Sequence, residues 1–385
     1  MDAIFFEPSE AQALVRETAR SYAQRVLVPV AGRLDRERRF PTAYLRELAD
    51  LGLMGVNVPE ALGGAQAGAV SYALAMIELA QGCASTAVTV AVNNMVAETL
   101  VKFGSPELQS RYVPELTSGR FAAGSFGLSE SHSGSDAAAL RTTARRDGGG
   151  WVLNGSKQWI TSGDRAGVII VWARTSPAHG APAKGLSCFL VEGGASGLTV
   201  GRHEDKMGLR ASSTVSLAFE DLRVPASAML GAEGQGFAIA MSALQGGRIG
   251  IAAQAVGIGT AAKEASIRYA KERRAFGKPI GEMQAIRFML ADMETELDAA
   301  RLLTLRAAGL KEAGLPFTRE GSMAKVFASE KANRACDVAV QIHGGYGYID
   351  EFPVERHYRD ARVTTIYEGT SEVQRLVISR DLLGR

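Results

Sequence analysis

Cysteine is scarce in this 385-residue chain: Cys83, Cys188 and Cys336 are the only three, without CxxC spacing. An odd and scattered set excludes a disulfide framework and a zinc site, and each thiol is expected to be buried as a small hydrophobe. No apolar run approaches the roughly 18 residues of a membrane span, and the amino terminus MDAIFFEPSE has acidic residues but no basic n-region. No membrane partner is therefore expected, and a cytoplasmic location is, or an organelle matrix if an import sequence has been removed. An excess of one charge is also missing: Lys and Arg number 43 against 41 Asp and Glu, and no basic cluster is interleaved with aromatics. That removes the footprint of a nucleic-acid partner. The basic run Arg36 to Arg39 contains Glu37 and reads as a solvated helix end. There is no GxxxxGK[ST], no GxGxxG between a strand and a helix, and no GxSxG, so P-loop, standard Rossmann and serine-hydrolase readings fail. The five histidines, His132, His179, His203, His343 and His357, lack HExxH spacing, and are read as structural or exposed rather than as metal ligands.

What is present falls into three stretches of different period. From Ser9, a capping box with Gln12 opens a helical pattern in which Ala11, Leu14, Val15, Ala19, Tyr22, Ala23 and Val26 share a face, with Pro29 as its expected end. Helical windows continue over Val70 to Gln81 and over Ser85 to Phe103, the latter closed by Gly104. Between Phe121 and Pro225 the period becomes two, in GWVLNGSKQWIT, GVIIVWARTS, GLSCFLVEGG and STVSLAFEDLRVP, with Asn154-Gly155 as the strongest hairpin signal. After GAEGQGF the helical period returns. Met283, Ile286, Leu290, Met293, Leu297 and Ala300 alternate steps of three and four, and LQGGRIGIAAQAVGIGTA supplies a glycine-rich partner helix suited to close approach. The chain is thus read as an α+β multidomain protein: a helical domain over 1–120, a β domain over 121–230 and a helical domain over 231–385.

Three segments are richer in glycine, hydroxyls and aromatics than packing needs: FGLSESHSGSD (126–136), KQWITSG (157–163) and QIHGGYGY (341–348). On composition alone each is a turn, although such groups also satisfy a polar ligand at close range. In this order and spacing, and together with DKMGLRASST, GAEGQGF, GGRIGIAAQAVGI, RRAFGKPI, ERHYRDARV and YEGTSEVQR, they resemble the acyl-CoA dehydrogenase family of flavoenzymes over nearly the whole length. The resemblance implies an amino-terminal helical domain, a central β-barrel-like domain and a carboxyl-terminal four-helix bundle. It also implies FAD as cofactor, an acyl-CoA substrate, an electron-transfer flavoprotein as partner, a place in fatty-acid β-oxidation, and a homo-oligomer built as a dimer of dimers.

Residue by residue, the resemblance assigns Phe126, Leu128, Ser129, Gly134 and Ser135 to the loop around the flavin ring, and Trp159, Ile160 and Thr161 to its second contact. Alone, Trp159 would read as a β-domain core aromatic. Arg273, Phe276, Gln284 and the run Gln341, Ile342, His343, Gly344 and Gly345 match the positions that hold the pyrophosphate and adenine half of FAD, typically on a neighbouring subunit. Thr370, Ser371 and Glu372 match the remaining contacts, Glu368 the base that removes the α proton, and Gly369 its clearance. Ser135, Gln245 and Arg248 match positions that contact CoA or support the base. Relatives that carry the base near Arg248 have a small residue in place of the glutamate, and Gly247 here leaves Glu368 without a rival. Two departures stand out: Gln245 replaces a usual aspartate, and Ser131 with His132 alters the TEPxAGSD pattern to SESHSGSD. VAVNNM (90–95) resembles short-chain members, which favours short or medium saturated acyl groups. The competing readings are an acyl-CoA oxidase, a flavin oxidase or monooxygenase on the same fold, and a cofactor-free helical interaction module.

Overall fold

The computed structural model describes residues 7–177 and 182–384; His179 lies outside them. Ser9 and Gln12 form the reciprocal capping box that opens α1 (Glu10–Tyr22), with the side chain of each accepting from the backbone N–H of the other. The helical path does not end at Pro29. A π-helical turn, Ala23–Leu27, leads directly into α2 (Val28–Glu37), and this wider turn accommodates the proline that follows as the second residue of α2. After α3 (Thr42–Asp50), the buried pair α4 (Gly68–Gly82) and α5 (Ala84–Phe103) and then α6 (Pro106–Thr117) complete the amino-terminal helices. Gly104 does follow α5, but its backbone is extended at φ −73°. Glycine is needed there because a Cβ would stand 2.6 Å from the Leu100 carbonyl oxygen.

Eight strands follow: β1 (Ala123–Gly127), β2 (Thr143–Asp147), β3 (Gly150–Thr161), β4 (Ala166–Arg174), β5 (Leu186–Glu192), β6 (Leu198–His203), β7 (Thr214–Pro225) and β8 (Met229–Leu230). They form one sheet in the order β6-β7-β3-β2-β4-β5-β8, with β1 parallel to β4. Asn154-Gly155 is not a hairpin turn. It is an irregularity inside β3, where Asn154 exchanges two hydrogen bonds with Asp221, while the β2–β3 turn falls at Gly148-Gly149. A Cβ on Gly155 would lie 2.7 Å from Thr142, so close approach, not reversal, explains that glycine. The sheet curls over its own core of Trp151, Leu153, Phe189 and Phe219, while alternate residues of β4, Val168, Ile170 and Trp172, face the helices. The Trp172 indole donates to the Gly236 carbonyl at 2.7 Å and so ties the sheet to the start of α7.

The carboxyl-terminal part consists of α7 (Gly236–Glu272), a short hairpin β9 (Arg274–Ala275) and β10 (Lys278–Pro279), α8 (Gln284–Glu312), α9 (Thr318–His343), α10 (Val354–Ala361) and α11 (Ser371–Leu382). Helix α9 packs on α7, α8, α10 and α11, and α4 packs on α7 and α8, so both helical parts share one apolar core. All three cysteines are buried and free. Among the described residues no helix is long and apolar enough to cross a membrane.

The glycines of α7 set its distance from α4. A Cβ on Gly257 would lie 2.7 Å from the Ala80 Cβ and closer still to the Ile77 carbonyl. Alanine is favoured over glycine within a helix by about 1 kcal/mol, but overpacking against backbone costs about 1–3 kcal/mol. Gly257→Ala is therefore expected to destabilise, lowering the urea midpoint at unchanged m value; a raised midpoint would show that α4 yields freely.

Candidate active site

Glu368 sits between a single 3-10 turn, Arg362–Thr365, and the start of α11. Its φ is +54° and that of Gly369 is +89°, two successive left-handed residues that reverse the chain. For a residue with a Cβ this costs roughly 1 kcal/mol, so the surroundings must impose it. They do so through the backbone: Gln374 Nε2 donates to the carbonyls of Glu368 and Gly369 at 3.1 and 2.9 Å, and Lys325 Nζ donates to the Gly369 carbonyl at 2.7 Å. The Thr370 hydroxyl caps α11. On the other side the Tyr367 hydroxyl donates to Gln254 Oε1, whose amide in turn donates to the Ala84 carbonyl at 2.9 Å.

The carboxylate is aimed at α7. Its Oε2 is enclosed and makes no hydrogen bond among the described residues, and the Glu368 N–H likewise has no acceptor there. A Cβ on Gly247 would lie 2.6 Å from Oε2, so position 247 must be glycine for the carboxylate to be where it is. Burial raises the Glu368 carboxyl to about 7 against the pull of Arg248 and Lys325, neither of which makes an ion pair with it. Arg248 is buried, donates to Ser322 Oγ at 3.1 Å and leaves its Nε without a partner among the described residues, whereas Gln245, one turn earlier, is half-buried. The arrangement holds a carboxylate that can take a proton near neutral pH, beside an unused amide donor.

Phe126 to Ser135 and the end of β3 form a second cluster. The pairing of β3 with β7 is interrupted between Lys157 and Ile160, and Trp159 at the interruption has φ +59° and is 56 % exposed. It is not a core aromatic; the bulge turns its indole outward. The loop lies against the same strand, with the Gln158 N–H donating to the Ser129 carbonyl at 3.0 Å and Ser125 Oγ to the Thr161 carbonyl at 2.7 Å. Phe126 packs on Trp172 at 4.3 Å between ring centroids. Leu128 and Ile160 are buried, while Gly134 and Ser135 are exposed. Ser131 and His132 form the exposed tip of a tight turn closed by Glu130 and Ser133.

Arg273, Ile342, His343, Gly344 and Gly345 come together in a cavity of about 500 Å³ that Tyr269, Tyr346 and Ile349 also line. Gly344 ends α9 with φ +60°, and nothing lies within 4 Å of where a Cβ on it or on Gly345 would be, which leaves backbone open to the cavity. The Arg273 guanidinium lies 5.5 Å from the Tyr346 ring centroid. The His343 ring is a wall of the cavity: it stacks on Tyr269, and its Nδ1–H donates to the Ala339 carbonyl at 2.7 Å. Gln341, Gln284 and Phe276 are exposed outside this cavity, Phe276 at 95 % on the hairpin tip. Thr370, Ser371 and Glu372 follow Glu368 and do not line the Arg273 cavity; Ser371 Oγ is buried without a partner among the described residues, and Glu372 is exposed.

Sequence reasoning missed Lys325, Gln374 and the buried pair Glu130–Lys157. The signal for Lys325 was a lone lysine within the small-residue run GSMAKVFAS; for Gln374 there was none. The two asparagines of VAVNNM are core amides: Asn93 accepts from the Gly124 N–H at 2.9 Å and Asn94 from the Val56 N–H at 2.8 Å. Met95 is the residue of that motif that reaches the site, its sulfur 3.1 Å from where a Gly247 Cβ would be.

Family profiles described as acyl-CoA dehydrogenase N-terminal, middle and C-terminal domains match residues 9–120, 125–222 and 234–383. The chain is 50 % identical over 379 residues to the mitochondrial short-chain specific acyl-CoA dehydrogenase of Bos taurus, covering 98 % of this chain and 91 % of that one. Butyryl-CoA dehydrogenase from Megasphaera elsdenii is similar in structure, with a TM-score of 0.96 and 41 % identity over 99 % of this chain and 100 % of that one. A chain solved in work on the electron transferring flavoprotein of Acidaminococcus fermentans and flavin-based electron bifurcation matches with a TM-score of 0.97 and 41 % identity, over 99 % and 100 %.

Proposed function

Because this chain belongs to the acyl-CoA dehydrogenase family, we propose that it removes two hydrogens from the α and β carbons of a short saturated acyl-CoA thioester, with FAD as oxidant and an electron-transfer flavoprotein as acceptor. The observation that carries this reading is Glu368, a half-buried residue whose carboxylate Oε2 is enclosed and unpartnered among the described residues, with a proton affinity near neutrality. An α C–H bond is a weak acid, and a base raised to about 7 is matched to removing its proton at physiological pH. As the proton leaves, charge develops on the thioester oxygen, and the unpartnered N–H of Glu368 is a donor for it.

FAD fits the residues present. Trp159 and the 126–135 loop offer an exposed aromatic face with backbone groups for a planar ring, and the Arg273 cavity with Gly344 and Gly345 offers a guanidinium and open backbone for a pyrophosphate. When bound, FAD supplies the acceptor for the hydride from the β carbon. The two clusters share no residue within one chain, and Phe276, Phe288, Leu376, Leu382 and Leu383 expose apolar surface, which supports a homo-oligomer. Short acyl groups are supported by the Bos taurus relative and by Met95 and Tyr72, which crowd Gly247 and Gly250 on α7 beside the carboxylate.

The test is anaerobic mixing of the purified protein with a panel of straight and branched acyl-CoA esters. Butyryl-CoA is expected to bleach the oxidised-flavin absorbance, with long-chain esters slower. A colourless preparation without flavin would sink the reading in favour of a helical interaction module; steady turnover with oxygen and no added electron-transfer flavoprotein would make the chain an oxidase.

A further inference from the structure

Lys325 is completely buried, yet no carboxylate among the described residues is in ion-pair contact with it. Its one hydrogen bond is to the Gly369 carbonyl, at 2.7 Å. A buried ammonium without a counter-ion is costly, and a fold retains one only where the charge has a task or an apolar replacement fails. Ser322, one turn earlier on the same face of α9, receives the Arg248 guanidinium at 3.1 Å. That helix face therefore orders the two cations, Arg248 and Lys325, that favour the charged form of Glu368.

We propose that Lys325 is a positioning residue for proton abstraction: it holds the Glu368–Gly369 peptide by the Gly369 carbonyl and sets a positive potential behind the Glu368 carboxylate. The proposal rests on Glu368 as the base. A direct ion pair would occupy the oxygen that must accept the proton, whereas an ammonium bonded to the next carbonyl acts on the carboxylate through space and leaves Oε2 open. The same bond stabilises the left-handed pair at 368 and 369, which turns the Glu368 N–H away from backbone acceptors. The other ionisable groups around the site are Arg248 on α7, Tyr72 on α4, Glu98 on α5, Glu330 on α9, Glu372 on α11 and Tyr367 beside the base. Among them Arg248 and Lys325 are the cations that favour the charged form of Glu368, while burial opposes it.

The experiment compares Lys325→Gln, which keeps a donor but no charge, with Lys325→Met, which keeps neither. The readouts are flavin content, substrate affinity and the pH profile of flavin reduction by butyryl-CoA. Removing the cation raises the proton affinity of Glu368, so the acid limb moves up by about one pH unit in both variants, a loss of about tenfold below the limb that closes at high pH. Lys325→Met also falls at every pH, because the Gly369 carbonyl loses the shorter of its two side-chain donors and is held by Gln374 alone. A flavin-replete Lys325→Gln with an unmoved acid limb overturns the proposal. So does failure of Lys325→Gln to retain flavin, since the lysine would then be a requirement of the fold. Glu368→Gln is measured alongside: if it still reduces flavin at the normal rate, the base reading itself has failed, whereas an inactive Glu368→Gln with an unmoved limb in Lys325→Gln removes only the role given to Lys325.

Discussion

Glu368→Gln is expected to retain FAD and acyl-CoA binding and to slow flavin reduction by about 10³-fold, within the span of a lost general base. Glutamine has the same shape and preserves the backbone bonds from Gln374 and Lys325, which attach to carbonyls and not to the side chain. What it lacks is a proton acceptor, and no other carboxylate is packed at Gly247 to take over. In the wild type the rate should rise with pH through about 7 and then level, because the base works only when ionised and burial has raised it to that value. Stop-flow reduction across pH 5.5 to 9 measures both; a Glu368→Gln protein within tenfold of wild type would place the base elsewhere.

The same burial has a stability consequence of determinate sign. The Glu368 carboxyl is about 7 when folded and has an ordinary value of 4.5, so the folded state holds the proton more tightly than the unfolded chain does. Stability associated with this group is present below the unfolded value and lost as pH rises through the folded one, on the order of 1–3 kcal/mol in all. Glu368→Gln should therefore be more stable than wild type at pH 8.5 and indistinguishable from it at pH 4.5, by urea midpoints on the FAD-bound protein. A base kept destabilised by its own burial is the exchange of stability for activity expected at such a site.

Glu368, Trp159, Arg273 and the 341–345 run are singled out by the family resemblance, which rests on short motifs whose members are neighbours in the chain; composition alone marks none of them as a site. The order of helices, strands and helices was legible from period alone. Groups that act across the chain were not: Lys325 meets a carbonyl 44 residues away, and in its own helix nothing marks it except that small residues flank it. Local rules failed where packing overruled them. Pro29 is tolerated because a π turn precedes it, and Asn154-Gly155 remains within a strand because Asp221 and Thr142 occupy the space beside it. The exposed Trp159 could not be told from a core aromatic, since its direction depends on a bulge in the β3–β7 pairing that no local residue dictates.

Glu130→Gln should be strongly destabilising to the β domain, by about 3–5 kcal/mol, the usual consequence of leaving one member of a buried ion pair alone. The Glu130 carboxylate accepts from the Arg141 and Thr142 N–H groups at 2.7 and 2.9 Å, from the Thr142 hydroxyl at 2.6 Å and from Lys157 Nζ at 2.8 Å. Burial works against its charge, but these donors outweigh it and hold the carboxyl below its ordinary range. Lys157 is less well placed, since burial has already lowered its ammonium to about 8 and the Leu128 carbonyl at 3.1 Å is its only other partner among the described residues. Without Glu130 that ammonium must lose its proton or remain uncompensated. The pair also joins the 126–135 loop to the strand that presents Trp159, so the damage should reach the flavin: Glu130→Gln is expected to lose FAD on dilution before it unfolds. Lys157→Met should cost less, because Glu130 retains three other donors, and adding it to Glu130→Gln should recover part of the lost stability by removing the stranded charge. Urea midpoints and FAD release for the two single variants and the double close this cycle. A Glu130→Gln protein within 1 kcal/mol of wild type that keeps its FAD would show that the loop is held by its backbone bonds alone.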